Sequence, residues 1–314
     1  MSISVRPYVP GQDDAVWIDI QNRASAEYPE CTPDTLADFE LHKQGPWFEA
    51  TGMMLVELDG EPAGCADAWI DRRVDEEHGY FEGPWVLPEH RRLGVGRTLA
   101  KAVFESLRRR GKSQVQLWHR DTPAWVAFAA RLGFRCIRVF HNMTRDLKPV
   151  PRSVGENREV TLVELPADDA TIELENRLMN ESFREHFSYR ALTTDETRHL
   201  YRMARERNEW LFTLVARLQG QPVGFLLGGS DPAVIKRRGA NVGRLHVLGV
   251  LKPFRNRGIA KALLIAGMER LRERGMTETE LRVDAGNATG ALRLYERLGF
   301  RTSSRRLTQV RDLT

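Results

Sequence analysis

The chain has 314 residues, 47 Lys and Arg against 43 Asp and Glu for a formal net charge of +4, and 41% hydrophobic residues. That length has room for two domains of ordinary size, and the composition is that of a soluble globular protein. It excludes a membrane span, since no apolar run approaches the roughly 20 residues needed, and the near balance of charges argues against a nucleic-acid surface. The N-terminus lacks a signal-peptide pattern. The three cysteines, Cys31, Cys65 and Cys136, have neither metal-ligand nor disulfide-framework spacing. They read as reduced thiols of a cytoplasmic protein that holds no metal.

In chain order, a strand is expected near Ile3 to Arg6, then a helix near Asp13 to Arg23. A second helix is expected over Pro33 to Lys43, with Thr32 as N-cap and Pro33 at its first position. Met53 to Leu58 and Pro62 to Ile70 flank Asp59-Gly60, a hairpin turn signal. A strand near Tyr80 to Leu87 runs into a glycine turn. The helix after it carries Val95, Leu99, Ala102, Val103 and Leu107 on one apolar stripe and ends at Gly111 as C′ residue. Val115 to Trp118, a helix over Thr122 to Leu132, and a strand over Phe134 to Met143 follow.

The same order then returns. Glu159 to Val163 reads as a strand and Asp168 to Met179 as a helix. Leu192 to Glu206 is helical again, with Thr193 or Thr194 as cap. Strands at Trp210 to Leu218 and Pro222 to Leu227 pair across Gln219-Gly220, and Arg244 to Leu251 feeds a second glycine turn. Ile259, Leu263, Ala266 and Leu271 repeat the buried stripe, and Glu280 to Asp284, Ala288 to Leu298 and Phe300 to Val310 close the unit. Gly94 to Gly111 recurs 164 residues later at Gly258 to Gly275, and Arg131-Leu132-Gly133-Phe134-Arg135 recurs as Arg297-Leu298-Gly299-Phe300-Arg301. One folding unit is written twice, at a period too long for a solenoid. The expected division is 1–147 and 159–314, joined by a Pro- and Gly-containing linker over 148–158.

Each glycine turn joins a strand to a helix. The first N–H groups of that helix have no internal partner, and the helix dipole places positive charge there, so the turn can hold an anion. Gly94, Gly96 and Gly258 leave room for backbone approach, as Ala260 nearly does. No Gly-Lys-Ser/Thr follows, and Leu99 stands where a dinucleotide-binding fingerprint needs its third glycine, so neither better-known phosphate loop is present.

Val86-Leu87-Pro88-Glu89-His90-Arg91-Arg92-Leu93-Gly94-Val95-Gly96 resembles the acetyl-CoA pyrophosphate loop of the GNAT superfamily of N-acyltransferases, as does Val250 to Ala260. Asn287, Gly290-Ala291-Leu292 and Leu294-Tyr295-Glu296-Arg297-Leu298-Gly299-Phe300 resemble its second signature. The resemblance implies an α/β (α+β) fold of two tandem domains, each a mixed, mostly antiparallel twisted sheet flanked by helices. It also implies acetyl-CoA as acyl donor and direct attack by an amine. On that basis Arg255, Asn256, Arg257, Gly258, Ile259 and Ala260 would cradle the pyrophosphate, and the strand end Leu248, Gly249 and Val250 would meet the thioester. Tyr295 would act as acid, Asn287 would assist at the site, and His246 is the candidate base, with a reference pKa near ~6.5. Val86, Arg91, Arg92, Leu93, Gly94, Val95 and Gly96 form the corresponding cofactor loop of the first half.

The first half departs from the pattern, with Ala129 at the position of Tyr295 and Asp121 at that of Asn287. Glu82 stands opposite His246. The second half is therefore expected to carry the chemistry, the first being catalytically degenerate, with Trp118 and Trp125 filling its cleft. The acceptor is expected to be a small-molecule amine, shaped by Phe183, His186, Phe187, Tyr189 and Arg190. A non-catalytic acyl-CoA sensor and a protein N-acetyltransferase are the alternatives. The sequence leaves acceptor identity and oligomeric state open.

Overall fold

The computed structural model describes residues 2–74, 76–151, 159–287 and 289–313. The chain separates into two compact units, one of Met1–Val139 with Arg305–Thr314 and the other of Phe140–Ser304. The first half runs β1 (Ile3–Pro7), α1 (Asp14–Ser25), α2 (Leu36–Lys43), β2 (Met53–Leu58), β3 (Glu61–Trp69), β4 (His78–Val86), α3 (Val95–Arg109), β5 (Gln114–Arg120), α4 (Pro123–Arg131) and β6 (Arg135–Asp146). The second half runs β7 (Val160–Leu165), α5 (Asp169–Phe183), α6 (Thr194–Glu206), β8 (Trp210–Leu218), β9 (Gln221–Ser230), α7 (Pro232–Arg238), β10 (Val242–Val250), α8 (Ile259–Glu273), β11 (Glu278–Asp284), α9 (Ala291–Arg297) and β12 (Arg301–Asp312).

Each unit is a mixed sheet in which all neighbours are antiparallel except one central parallel pair, β4–β5 in the first and β10–β11 in the second. Asp59-Gly60 and Gln219-Gly220 make the two hairpins, and all four residues have positive φ. That is the requirement of a two-residue turn whose twist matches its strands. The stripe of α3 packs Val95, Leu99, Val103 and Leu107 against one sheet face with Phe81, Val115 and Leu117, and α8 does the same with Ile259, Leu263 and Leu271. Both helices end where the sequence places a glycine: Gly111 and Gly275 have positive φ, and the next N–H reaches back to Leu107 and Leu271 respectively. The opposite face is covered by α1 and α2 in the first unit and by α5 and α6 in the second.

Helix starts differ most from expectation at α2 and α9, and α9 begins at Ala291 with Gly290 as N-cap. α2 begins at Leu36, and Thr35 caps it reciprocally with Asp38. Asn22 on α1 holds the backbone N–H and carbonyl of Asp34 at 2.9 and 2.8 Å, which keeps the residues before Thr35 out of the helix. Thr193 caps α6 with Glu196. α7, which the apolar pattern does not reveal, is marked by Asp231 as N-cap, Pro232 in its first turn and Gly239 at its end. Of the linker segment, residues 152–158 lie outside the described residues, as does Ala288 in the expected last helix.

The last strands are exchanged at their ends. The second part of β6, Phe140 to Asp146, pairs with β11, and the second part of β12, Arg306 to Asp312, pairs with β5. Leu147 donates its N–H to Thr277 at 2.8 Å in the second unit, and Leu313 donates to Ser113 at 2.7 Å in the first. Because Arg145-Asp146-Leu147 and Arg311-Asp312-Leu313 are the same sequence, each end meets in the other copy the surface it would meet in its own. Exchange of identical elements therefore costs little.

Leu307, Val310 and Leu313 are nearly fully buried, at about 2 kcal/mol or more apiece. A chain ending at Ser304 is expected to lose a sum comparable to a whole domain's margin of 5–15 kcal/mol. Calorimetry should then show the first unit's transition lost or lowered by tens of degrees. An unchanged transition would mean the exchanged end is dispensable.

Candidate active site

In the second unit, β10 and β11 pair only at Val242, Gly243 and Arg244 against Glu278, Thr279 and Glu280. β10 continues to Val250 along β9, so beyond Arg244 the two parallel strands separate and the inner edge of Leu245 to Val250 has no strand partner. His246 is the extra residue of a bulge between Leu245 and Val247, which re-aims a side chain where the gap opens. Leu248, Gly249 and Val250 line the far part of that edge. Gly249 has a steric reason to be glycine, since a Cβ there would lie 2.6 Å from the Phe225 ring and 3.0 Å from Ser182.

From Val250 the chain makes a single 3-10 turn, Lys252–Phe254, then crosses Asn256 at φ 62° and Gly258 at φ 80° before α8. Gly258 is the N-cap in the left-handed conformation, with no side chain capping the helix. The helices α2, α4, α5, α6 and α7 are all capped by Thr or Asp. The first N–H groups of α8 thus keep their donor capacity, and no atom lies within 4 Å of where a Gly258 Cβ would stand. This open, uncapped start fits a pyrophosphate.

The Arg255 side chain braces the strand end. Its Nε donates to the Val250 carbonyl at 3.1 Å and another nitrogen to the Ser182 carbonyl at 2.8 Å, so it ties the end of β10 to α5. Arg91 does the same in the first unit, to Val86 and Ala24. Asn256 and Arg257 are exposed, and the Arg257 guanidinium lies 5.5 Å over the Phe254 ring.

Tyr295 is buried on α9, edge-on to Phe300 with ring centroids 6.0 Å apart. Its carbonyl accepts from the Phe300 N–H at 3.0 Å, the helix-ending bond that Gly299 permits. Its hydroxyl has no hydrogen-bond partner among the described residues, and burial alone pushes the phenol up to about 12. Asn287 accepts the Thr289 N–H at 3.0 Å and Asp284 accepts that of Gly286 at 2.9 Å. Together they shape the turn between β11 and α9. Asp284 was missed from the sequence, although Asp-x-Gly is a turn signal.

His246 is open to solvent yet densely surrounded, as a cleft wall is. Loss of bulk water, aided by the Arg244 charge and opposed by Glu280, holds its imidazole down to about 4, below the value expected from the sequence. Glu280 joins Arg238 at 2.7 Å and Arg244 at 2.8 Å, a network the sequence did not reveal because α7 was not recognised. His186 is also held below its usual value by burial, against the pull of Asp284.

The first unit repeats the frame with different contents. β4 and β5 pair from His78 to Phe81 and then separate, and Gly94 caps α3 in the left-handed conformation with no side-chain cap. Val95 is fully buried while Arg92 and Leu93 are exposed. A methyl group on Gly96 would already touch Phe128, Pro84 and Val86 at 3.4 to 3.6 Å, and Ala129 is buried without a proton to give. Trp118 and Trp125 do not fill this crevice together. Trp118 is exposed, and Trp125 stacks on His119 at 5.5 Å with its edge to Phe128, so Phe128 is the ring that closes on α3.

The sequence pattern of the acetyltransferase (GNAT) family matches residues 16–134 and again 174–300. A mycothiol acetyltransferase of Actinosynnema mirum is 30% identical over 265 residues, 81% of this chain and 82% of that one. One of Acidothermus cellulolyticus is 35% identical over 272 residues, 77% and 78% of the two chains. Among solved structures, a tandem GNAT protein from the clavulanic acid biosynthesis pathway superposes with a TM-score of 0.73 at 17% identity, covering 100% of this chain and 99% of that one. A GCN5-related N-acetyltransferase from Sphaerobacter thermophilus gives 0.65 at 25% identity, covering 99% and 96%. The chain belongs to the acetyltransferase (GNAT) family and carries the family pattern twice.

The depressed His246 pKa carries a sign for stability. Between about pH 6.5 and pH 4 the unfolded chain binds a proton there that the folded chain does not, so stability falls as the pH drops through that window. His246→Gln should flatten that part of the melting-temperature profile. An unchanged slope, or an imidazole titrating near 6.5 by NMR, would show that His246 is fully solvated.

Proposed function

We propose that the chain is an acetyl-CoA-dependent N-acetyltransferase of the cytoplasm, whose second unit moves the acetyl group to a primary amine of a small molecule. The observation that carries this reading is that the second unit holds the parted β10 edge, the uncapped start of α8 and, in the same hydrophobic cluster as Ile259 and Val250, Tyr295 with no hydroxyl partner among the described residues. The first unit keeps the parted strands and the uncapped helix, but Ala129 stands in the tyrosine's place. The mycothiol acetyltransferases similar over about four-fifths of the chain support a small-molecule acceptor. Three free cysteines support a reducing compartment.

The N–H groups of Gly258, Ile259 and Ala260 would hold the pyrophosphate, with Asn256 and Arg257 at its edge. Bound acetyl-CoA supplies an activated thioester. The β10 edge at Gly249 and Val250 offers backbone N–H donors for the carbonyl oxygen as negative charge develops. A phenol at about 12 stays protonated, and it is a weaker acid than a thiol near ~8.5. Tyr295 therefore contributes a hydrogen bond to the departing sulfur. With a pKa of about 4, His246 is neutral at pH 7 and too weak a base to hold a proton taken from an amine. It accepts a hydrogen bond that orients the amine, and the proton passes to water. Asn287 fixes the turn that presents α9.

Tyr295→Phe should lower turnover by on the order of 10²-fold while acetyl-CoA affinity and folding stay near parent. Turnover near the parent rate, with only a lower melting temperature, would return Tyr295 to the core. The unequal halves give a second test at two equivalent exposed positions that already have positive φ. Asn256→Asp should weaken acetyl-CoA binding and kcat/KM at least about tenfold, through a charge placed beside the pyrophosphate. Arg92→Asp should leave turnover near parent. Equal losses in both variants would assign catalysis to both units.

A further inference from the structure

The first unit holds an ion pair that is kept open. Successive residues of a strand face opposite sides, and Phe81 and Leu117 belong to the α3-side core. Glu82, Gln116, Trp118 and Arg120 therefore project to the α1–α2 side. Strand register adds Asp67 beside Glu82, Thr308 beside Trp118 and Arg306 beside Arg120. Glu82 is the first β4 residue past the last pair with β5, so this group stands where the strands part. Among the described residues, four buried atoms of these side chains have no hydrogen-bond partner: Asp67 Oδ1, which lies against Gly52, and Gln116 Oε1, Thr308 Oγ1 and Arg306 Nε. The side chains of Gln116 and Thr308 are almost wholly buried.

Two arginines opposite one another on neighbouring strands repel. Arg120 is neutralised: its Nε donates to Glu30 at 2.7 Å, a second nitrogen to Cys31 Sγ at 2.8 Å, and its guanidinium lies 3.8 Å over the Tyr28 ring. Arg306 has no bonded carboxylate among the described residues. Burial and the Arg120 charge hold its guanidinium below the usual range, and Glu82 acts on it only through space. Glu82 is exposed along its strand, yet loss of bulk water around it raises its carboxyl, against the through-space pull of Arg306; burial with the Glu82 charge, opposed by Arg110, pushes Asp67 up to about 8. One cation and one carboxylate thus face the same opening without touching, among buried acceptors that need donors.

We propose that the first unit binds a small zwitterion at this place, its carboxylate on Arg306 beside Arg120 and its ammonium on Glu82 and Asp67. Thr308 and Gln116 would meet polar groups between the two charges. A simple anion would satisfy Arg306 but face Glu82 and Glu30, and a simple amine would leave Arg306 unpaired. A molecule with both charges answers each end. The site shares no residue with the acetyl-transfer reading of the second unit and stands or falls apart from it.

The test is calorimetric titration of the full chain, without acetyl-CoA, using glycine, β-alanine, 4-aminobutyrate and 6-aminohexanoate, with butylamine and butyrate as one-charge controls. At least one zwitterion should bind with one site per chain, and the controls at least about tenfold more weakly, since each forfeits a charge-assisted bond. Glu82→Gln, which preserves shape, and Arg306→Met should each weaken the zwitterion by a similar factor. Arg306→Lys should restore part of the binding. The proposal is overturned if no zwitterion binds at millimolar concentration, if the controls bind equally well, or if both variants bind as the parent does. Should Arg306→Met fail to fold, the Glu82→Gln titration decides alone.

Discussion

The structure depends on a parallel strand pair that is zipped for only a few residues. Three register positions join β10 to β11 and four join β4 to β5, after which each sheet opens between two strands still held on their outer sides. An unpaired strand edge inside a folded domain is a cost, and both units meet it in the same way. A bulge or register shift occurs where the strands part, and an arginine ties the loose end to the helix behind it. The strand end is thereby held in place beside the opening. The glycine turn then starts α8 or α3 at the foot of the opening, so the strand gap and the helix dipole address the same space.

Duplication explains the exchanged strand ends as well. Two copies with the same closing residues offer each β6 or β12 end two equivalent places to finish. The contacts made by Leu147 at Thr277 and by Leu313 at Ser113 are the same contact in two units. Sequence alone cannot separate the two arrangements, because the hydrophobic pattern of the closing strands satisfies both. Connection length and strand twist decide between them, and neither is written in any single residue.

What was legible followed from local chemistry. Positive-φ glycines after α3 and α8, the two hairpin turns and the apolar stripes were readable because each is dictated within a few residues. Thr35 prevailed over Thr32 as the α2 cap because Asn22, distant in sequence, holds Asp34. The elements that carry the candidate residues were legible, but the surroundings of their side chains were not. Arg255 belongs to the loop pattern, yet its side chain is a brace. His246 has a suitable reference pKa, yet its position in a crowded bulge takes that pKa away. Roles of that kind are set by burial and by partners on other strands, which spacing does not encode.

The two units therefore diverge by contents more than by frame. In the second, the opening is flanked by a neutral histidine, a protonated tyrosine without a partner and an arginine–glutamate network that is internally satisfied. Little fixed charge is left facing the gap, which suits a reaction whose charge appears only on the thioester oxygen and the departing sulfur. In the first, Ala129 stands in the tyrosine's place, Phe128 lies beside Gly96, and Glu82 and Arg306 carry opposite charges that are not bonded to each other among the described residues. Duplication lets one chain carry the same frame with two different sets of contents.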